Sequence, residues 1–164
     1  YIRYPSKWAD IEKNLYKLDT SLDNITINVA AAVQLLNVPY IHELAEWKQD
    51  QNFSKVNIMP FGGGIINTHL VYFPSYLNVR TLPKELKEFT KNNIEKFVQR
   101  QKFNADWNNH AMGKQRWEGI ISYMMSEDWS DKLPQLQDYL RVLDETRGTD
   151  FTKVFPELRS LKNG

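Results

Sequence analysis

Residues 25–36 read ITINVAAAVQLL, a long apolar run without a charged side chain. In its first half, apolar residues at 25, 27 and 29 alternate with polar residues at 26 and 28. That two-residue period is typical of a half-buried β-strand. The three alanines suit a helix equally well, but the β-branched start favours a strand over about residues 25–33. Asn37 and Pro39 then end the run.

Helical patterns flank this strand on both sides. Before it, Trp8, Ile11, Leu15 and Leu18 recur at spacings of three and four, after a Pro-Ser pair that suits a helix start. After it, apolar residues between 41 and 47 predict a second amphipathic helix that ends near residue 50. Residues 55–61 (KVNIMPF) alternate again and predict a short strand that runs into three glycines at 62–64.

The order helix, strand, helix, strand is typical of βαβ units with a parallel sheet. We therefore predict an α/β fold for residues 1–71, with functional groups at the carboxyl ends of the strands. Those ends lie near residues 34–37 and 59–64.

The second part of the chain, residues 72–164, is predicted to be a mostly helical extension. A charged helix should begin at Pro83, with Leu86, Phe89, Ile94 and Phe97 as its buried stripe. Further helices are predicted over 117–125 and 131–146, the latter stopped by a glycine at 148, and a last short helix follows residue 150. Residues 65–79 are expected to form a hairpin or an irregular crossing.

Composition excludes several classes of protein. The 164 residues carry 21 Lys+Arg and 20 Asp+Glu, a net charge of +1, whereas a general nucleic-acid binder normally carries a basic excess. There is no Cys, so this chain supplies no disulfide, no thiolate ligand for an iron–sulfur cluster and no cysteine nucleophile. No apolar run approaches the ~20 residues that cross a bilayer, and we expect no membrane partner and a cytoplasmic location. The first residue, Tyr1, is not Met, so we expect the chain to begin inside something longer.

Candidate site residues are few. Asn37 follows the predicted strand and offers donors and an acceptor to a polar ligand, although a turn or helix cap is the favoured alternative. The glycines at 62–64 bring backbone N–H groups close together but lack the spacings that cradle phosphate, so a turn is favoured there too. Arg3 can clamp a carboxylate or form a surface ion pair. No Ser–His–Asp order and no carboxylate pair stands out.

The histidines give no metal or catalytic pattern. His42 and Glu43 begin a metalloprotease-like box, but the box needs a second His where Glu46 stands. A solvated helix face is the favoured interpretation. His69 and His110 have no partner pattern.

Several segments together resemble a known family. YIRYPSKWADIEKNLYKL (1–18), ITINVAAAVQLLNVPYIHELAEW (25–47), HLVYFPSYLNVRTLP (69–83) and RGTDFTKVFPEL (147–158) resemble, in this order, the second half of the core and the tail of radical S-adenosylmethionine (radical SAM) proteins of the twitch-domain subfamily. The resemblance touches most of the chain. It implies the last strand–helix units of a partial (β/α) barrel, followed by the helical extension.

The resemblance also implies a function for the complete protein. Such an enzyme uses a [4Fe–4S] cluster to cleave S-adenosylmethionine reductively and then takes a hydrogen atom from a substrate, which in relatives with such C-terminal extensions is typically a peptide or protein. By resemblance, Asn37 contacts S-adenosylmethionine, Met59 and Pro60 flank its adenine, and Arg3 reaches its carboxylate. The CxxxCxxC loop that binds the cluster is absent, so this chain is expected to be an inactive C-terminal fragment.

Two alternatives stay open. Beside the fragment hypothesis, the chain could be a non-catalytic α/β interaction module that binds a protein partner through its aromatic surface. It could also be a small metal-independent enzyme with a site near the glycines at 62–64. The fragment hypothesis predicts that residues 25–33 and 55–59 are parallel neighbours with one exposed sheet edge, through which the chain could self-associate. The module hypothesis predicts covered sheet edges.

Overall fold

The computed structural model describes residues 1–21, 23–56, 65–101 and 112–162. In chain order, its helices and strands are α1 (Trp8–Ser21), β1 (Ala30–Val33), α2 (Ile41–Asp50), β2 (Asn67–Leu70), α3 (Lys84–Arg100), α4 (Met112–Met125), α5 (Leu133–Arg147) and α6 (Phe151–Val154). Short 3-10 helices cover Val38–Tyr40, Ser75–Leu77, Val79–Thr81, Ser130–Lys132 and Pro156–Leu161.

The predicted α/β barrel portion is wrong. The described chain is mostly helical, and its two strands form a two-stranded parallel sheet that does not close. The strands are four residues long, and the chain after β2 turns through two 3-10 helices into α3. The alternating pattern that predicted a series of barrel strands therefore produced one short βαβ unit.

The early β segments run parallel, as predicted, but most of their pairing involves a second segment that was not predicted. Ile27 forms a parallel bridge with Val56, as the pattern predicted. The longer pairing, however, aligns Ala30 with Asn67 and Val33 with Leu70. The prediction of a hairpin or irregular crossing over 65–79 missed this strand.

The apolar core lies between the sheet and the helices. Residues of β1, α3, α4 and α5 meet in one buried cluster, which includes Val33, Phe97, Trp117 and Leu140. Its members come from both sides of the predicted boundary at residues 71 and 72, and the division into two regions stays a prediction. On α3, Ile94 and Phe97 are buried as predicted, whereas Phe89 is exposed.

Helix α1 begins at Trp8 as predicted but packs only along one edge of its apolar stripe. Trp8 lies edge-to-face against Trp47, with ring centroids 4.8 Å apart, whereas Ile11 and Leu18 are exposed. The helix is anchored at its end by Asp19, whose carboxylate accepts hydrogen bonds from the backbone N–H groups of residues 54–56.

Candidate functional site: the edge groove between β2 and α4

The outer edge of β2 lacks a neighbouring strand. The N–H groups of Asn67 and Val71 donate to Val29 and Val33 of the first strand segment. In a parallel ladder the residues between them turn their backbone groups the other way. Thr68 and Leu70 therefore direct their N–H and C=O groups away from β1, and in the described part of the chain no hydrogen bond joins these groups to another residue.

A groove of about 430 Å³ lies along this edge. We call it the edge groove; strand β2 forms one wall and α4 the other, and it is lined by Thr68, His69, Leu70, Tyr72, Arg116, Gly119 and Ile120. Its volume falls within the range of ordinary ligand pockets. An unpaired strand edge thus faces a helix across open space.

Gly119 of α4 borders this open space. Glycine in the interior of a helix destabilises it by roughly 0.5–1 kcal/mol relative to alanine, and such a glycine normally admits a closely packed neighbour. A Cβ built at Gly119 meets no atom within 4 Å. Among the described residues, no element of the chain therefore requires a glycine here, and a larger side chain at this position would extend into open space.

At the end of the groove where Tyr72 lies, the side chains of Tyr72 and Phe73 project into solvent. Phe73 is 86% exposed and Tyr72 is 55% exposed. Tyr72 packs edge-to-face on Tyr123 of α4, with ring centroids 5.6 Å apart. We call Tyr72 and Phe73 the aromatic loop.

Polar contacts order the chain next to the aromatic loop. The side-chain amide of Asn78 donates to the carbonyl oxygen of Val71 (3.3 Å) and to the hydroxyl of Tyr123 (3.0 Å). The Arg80 guanidinium lies 3.9 Å from the centre of the Tyr123 ring and pairs with Glu127 at 2.7 Å. These contacts order the backbone at Val71 and the Tyr123 ring on which Tyr72 packs.

The opposite end of the groove is polar. Arg116 donates from its Nη1 atom to the side-chain oxygen of Asn67 at 3.3 Å, and His69 exposes its imidazole beside it. The groove thus runs from an end that carries Arg116 and His69 to an aromatic end, with apolar Leu70 and Ile120 between them.

The outer edge of β1 differs, because Asn37 covers its carboxyl end. The Asn37 amide donates to the carbonyl oxygen of Ala32 (2.9 Å), and its oxygen accepts from the N–H of Gln34 (2.8 Å). The side chain thus bonds the strand edge as a neighbouring peptide group would. Its contact with S-adenosylmethionine stays a prediction, and its amide is used here by the backbone.

Of the other residues implied by the resemblance, the structure describes Arg3 alone. Arg3 lies on the exposed N-terminal segment, where its carbonyl accepts from Ser6. Met59, Pro60, the glycines at 62–64 and His110 lie outside the described residues. Within the described ranges, no group of His, Asp and Glu side chains is arranged to hold a metal ion, and no helix there is long and apolar enough to span a bilayer.

Two buried charges fix the chain on either side of residues 57–64. Burial alone would raise the pKa of Asp19, but the N–H groups of residues 54–56 outweigh it and lower that pKa to about 2. Burial lowers the pKa of Lys48 to about 8, and its Nζ atom donates to the carbonyl of Ile65 at 2.5 Å. Both groups position backbone that leads into β2.

Sequence reasoning missed the edge groove. Its available signals were a lone glycine within the helix predicted over 117–125 and the Tyr-Phe-Pro run at 72–74. An isolated glycine in a helical pattern indicates a packing or functional reason. The strand that makes the other wall was not predicted, so the two signals could not be combined.

In comparisons with known proteins, no family model, no curated protein and no solved structure matches this chain.

Proposed function

We propose that this chain is a protein-interaction module that binds an extended peptide segment of a partner protein in the edge groove. The segment pairs with β2 as an additional strand. The observation that carries the proposal is the combination of unpaired backbone groups at Thr68 and Leu70 with the empty space over Gly119 across the groove.

Backbone pairing supplies the general affinity in this type of recognition, and pockets for alternate side chains supply specificity. The distance from Thr68 to Tyr72 is covered by four residues of extended chain, about 13 Å. A segment lying there presents alternate side chains to Leu70 and Ile120. The partner segment is therefore extended and carries an apolar side chain at its centre.

The aromatic loop supports the same function. Aromatic side chains, phenylalanine among them, are enriched in the cores of protein interfaces. Phe73 contributes little to the stability of this chain, because most of its surface faces solvent. We infer that Phe73 inserts into an apolar pocket of the partner next to the segment that lies in the groove.

Selection from a displayed library of short random peptides tests the proposal, with the whole chain as bait. We expect enriched peptides that are extended and apolar at the centre. Methylating the peptide backbone nitrogens one at a time should weaken binding at every second position only, since only alternate N–H groups face β2. An absence of enriched peptides, or equal sensitivity at neighbouring positions, would contradict the proposal.

A second candidate follows from the resemblance, namely that the chain is the C-terminal part of a radical SAM enzyme without the barrel portion predicted from its sequence. The parallel bridge between Ile27 and Val56 supports it. Sequencing the coding DNA upstream of the Tyr1 codon tests it. A frame that encodes CxxxCxxC is expected, and a stop codon or an unrelated frame would contradict it.

A further inference from the structure

The free edge of β1 offers a second interaction surface, separate from the edge groove. Because Val29 and Val33 face β2, the residues that alternate with them, Asn28, Ala30 and Ala32, turn their backbone groups outward. In the described part of the chain, no hydrogen bond engages the backbones of Asn28 and Ala30. Both side chains are exposed.

This edge lacks the features that normally protect one. Edge strands usually carry a charged side chain, a proline or a bulge that prevents pairing with another chain. The segment of residues 25–33, ITINVAAAV, contains no charged residue and no proline. On the core side of the same segment, Ile25, Ile27 and Val29 are only half-buried. The edge therefore combines unpaired backbone with apolar surface that is partly open to water.

Asn37 limits how far a new strand can extend along this edge. Its amide already occupies the carbonyl of Ala32 and the N–H of Gln34. Pairing is therefore confined to residues 26–30, and the centre of that stretch is Asn28.

We propose that the partner of this edge is a second copy of the chain, paired antiparallel about a two-fold axis at Asn28. This register sets Asn28 opposite Asn28 of the second copy and Thr26 opposite Ala30, so that no like charges meet. It also keeps the half-buried apolar side chains of both copies on the same face. The two short sheets become one four-stranded sheet, and sheets of three or more strands are stable where two-stranded ones are marginal.

Sedimentation of the whole chain over a range of concentrations tests this proposal. We expect a monomer–dimer equilibrium for the natural sequence. Asn28→Lys and Asn28→Glu, each alone, place like charges directly opposite one another and should weaken the dimer by about two- to fivefold. An equimolar mixture of the two variants should restore dimers that contain one copy of each.

Ala32→Lys is the matched control. It adds a charge to the same exposed face of β1, but at the position where Asn37 covers the edge, so dimer formation should be unchanged. A natural chain that stays monomeric up to about millimolar concentration, or a mixture of the two Asn28 variants that dimerises no better than either alone, would overturn the proposal. The mixed sample also separates loss of pairing from loss of folding.

Discussion

The two edges of the small sheet carry the same unpaired backbone groups in different surroundings. The edge of β2 faces α4 across the edge groove, with Gly119 opposite and the aromatic loop at one end. The edge of β1 faces solvent and is flanked by small, uncharged side chains. The difference indicates that the surroundings select the partner: the walled edge admits a peptide segment, whereas the open edge admits a second copy.

Filling the edge groove should have the largest effect on peptide binding. Gly119→Leu places a side chain in space that is empty in the described chain, and we expect at least about 30-fold weaker binding, a loss typical of a blocked hot-spot position. Titration calorimetry with a selected peptide measures it.

The same substitution replaces a mid-helix glycine with a good helix former, so unfolding should become more difficult, by about 0.5–1 kcal/mol. Gly119→Ala shares this gain and serves as the fold control. If Gly119→Leu loses stability together with binding, unfolding explains the lost binding, and the result does not support a site in the edge groove.

Truncating the aromatic loop should have the next largest effect. Phe73→Ala removes a side chain that is 86% exposed, so the free energy of unfolding should change by less than about 0.5 kcal/mol. Affinity for a partner protein that contains a selected peptide should fall about tenfold. The matched control is Phe89→Ala, which truncates an exposed phenylalanine on α3, away from the edge groove. It should leave affinity unchanged.

Removing the cap on β1 should have a smaller effect, confined to the other edge. Asn37→Ala removes two hydrogen bonds to the strand backbone, and we expect a loss of about 1 kcal/mol in denaturant unfolding. The longer free edge should also strengthen self-association in sedimentation, while peptide binding in the edge groove stays as it was. Weaker self-association at unchanged stability would contradict the assignment of this edge.

Lowering the pH should detach the end of α1 from residues 54–56. Of the changes considered, this one should have the smallest effect on either edge of the sheet. The folded pKa of Asp19 is about 2, below its ordinary value of 3.8. The stabilisation is therefore complete above about pH 4 and is lost as the pH falls through about 2. Tryptophan fluorescence of the Trp8–Trp47 contact monitors this step. Asp19→Asn should remove the pH dependence in this window, and an unchanged profile would exclude Asp19 as the anchor.

Helices were predictable from the sequence because their apolar residues recur at helical spacing and their ends carry ordinary stop signals, such as Gly148 after α5. The parallel direction of the early β segments was predictable from the order of patterns. Strand β2 was not, because NTHL contains two polar residues and a histidine and becomes a strand only by pairing with β1. Intrinsic β-propensity is weak against such context.

The predicted barrel failed for a related reason. The pattern of residues 1–61 indicates parallel pairing but does not determine how many strands follow. After β2 the backbone is held in 3-10 turns, where Asn78 caps the turn at Arg80 and the Thr81 hydroxyl donates to the carbonyl of Ser75. Of the candidate site residues, Asn37 lies in a turn just after a strand, as the favoured alternative predicted from its residue type, and its amide bonds the backbone of Ala32 and Gln34.

Amide hydrogen exchange at β2 is the most direct test of the central claim. In the free chain, the amides of Thr68 and Leu70 should exchange rapidly, whereas those of Asn67 and Val71, which pair with β1, should be protected. Addition of a selected peptide should slow exchange at Thr68 and Leu70 and leave Asn67 and Val71 as they were. A peptide that binds without protecting Thr68 and Leu70 would contradict strand addition at this edge.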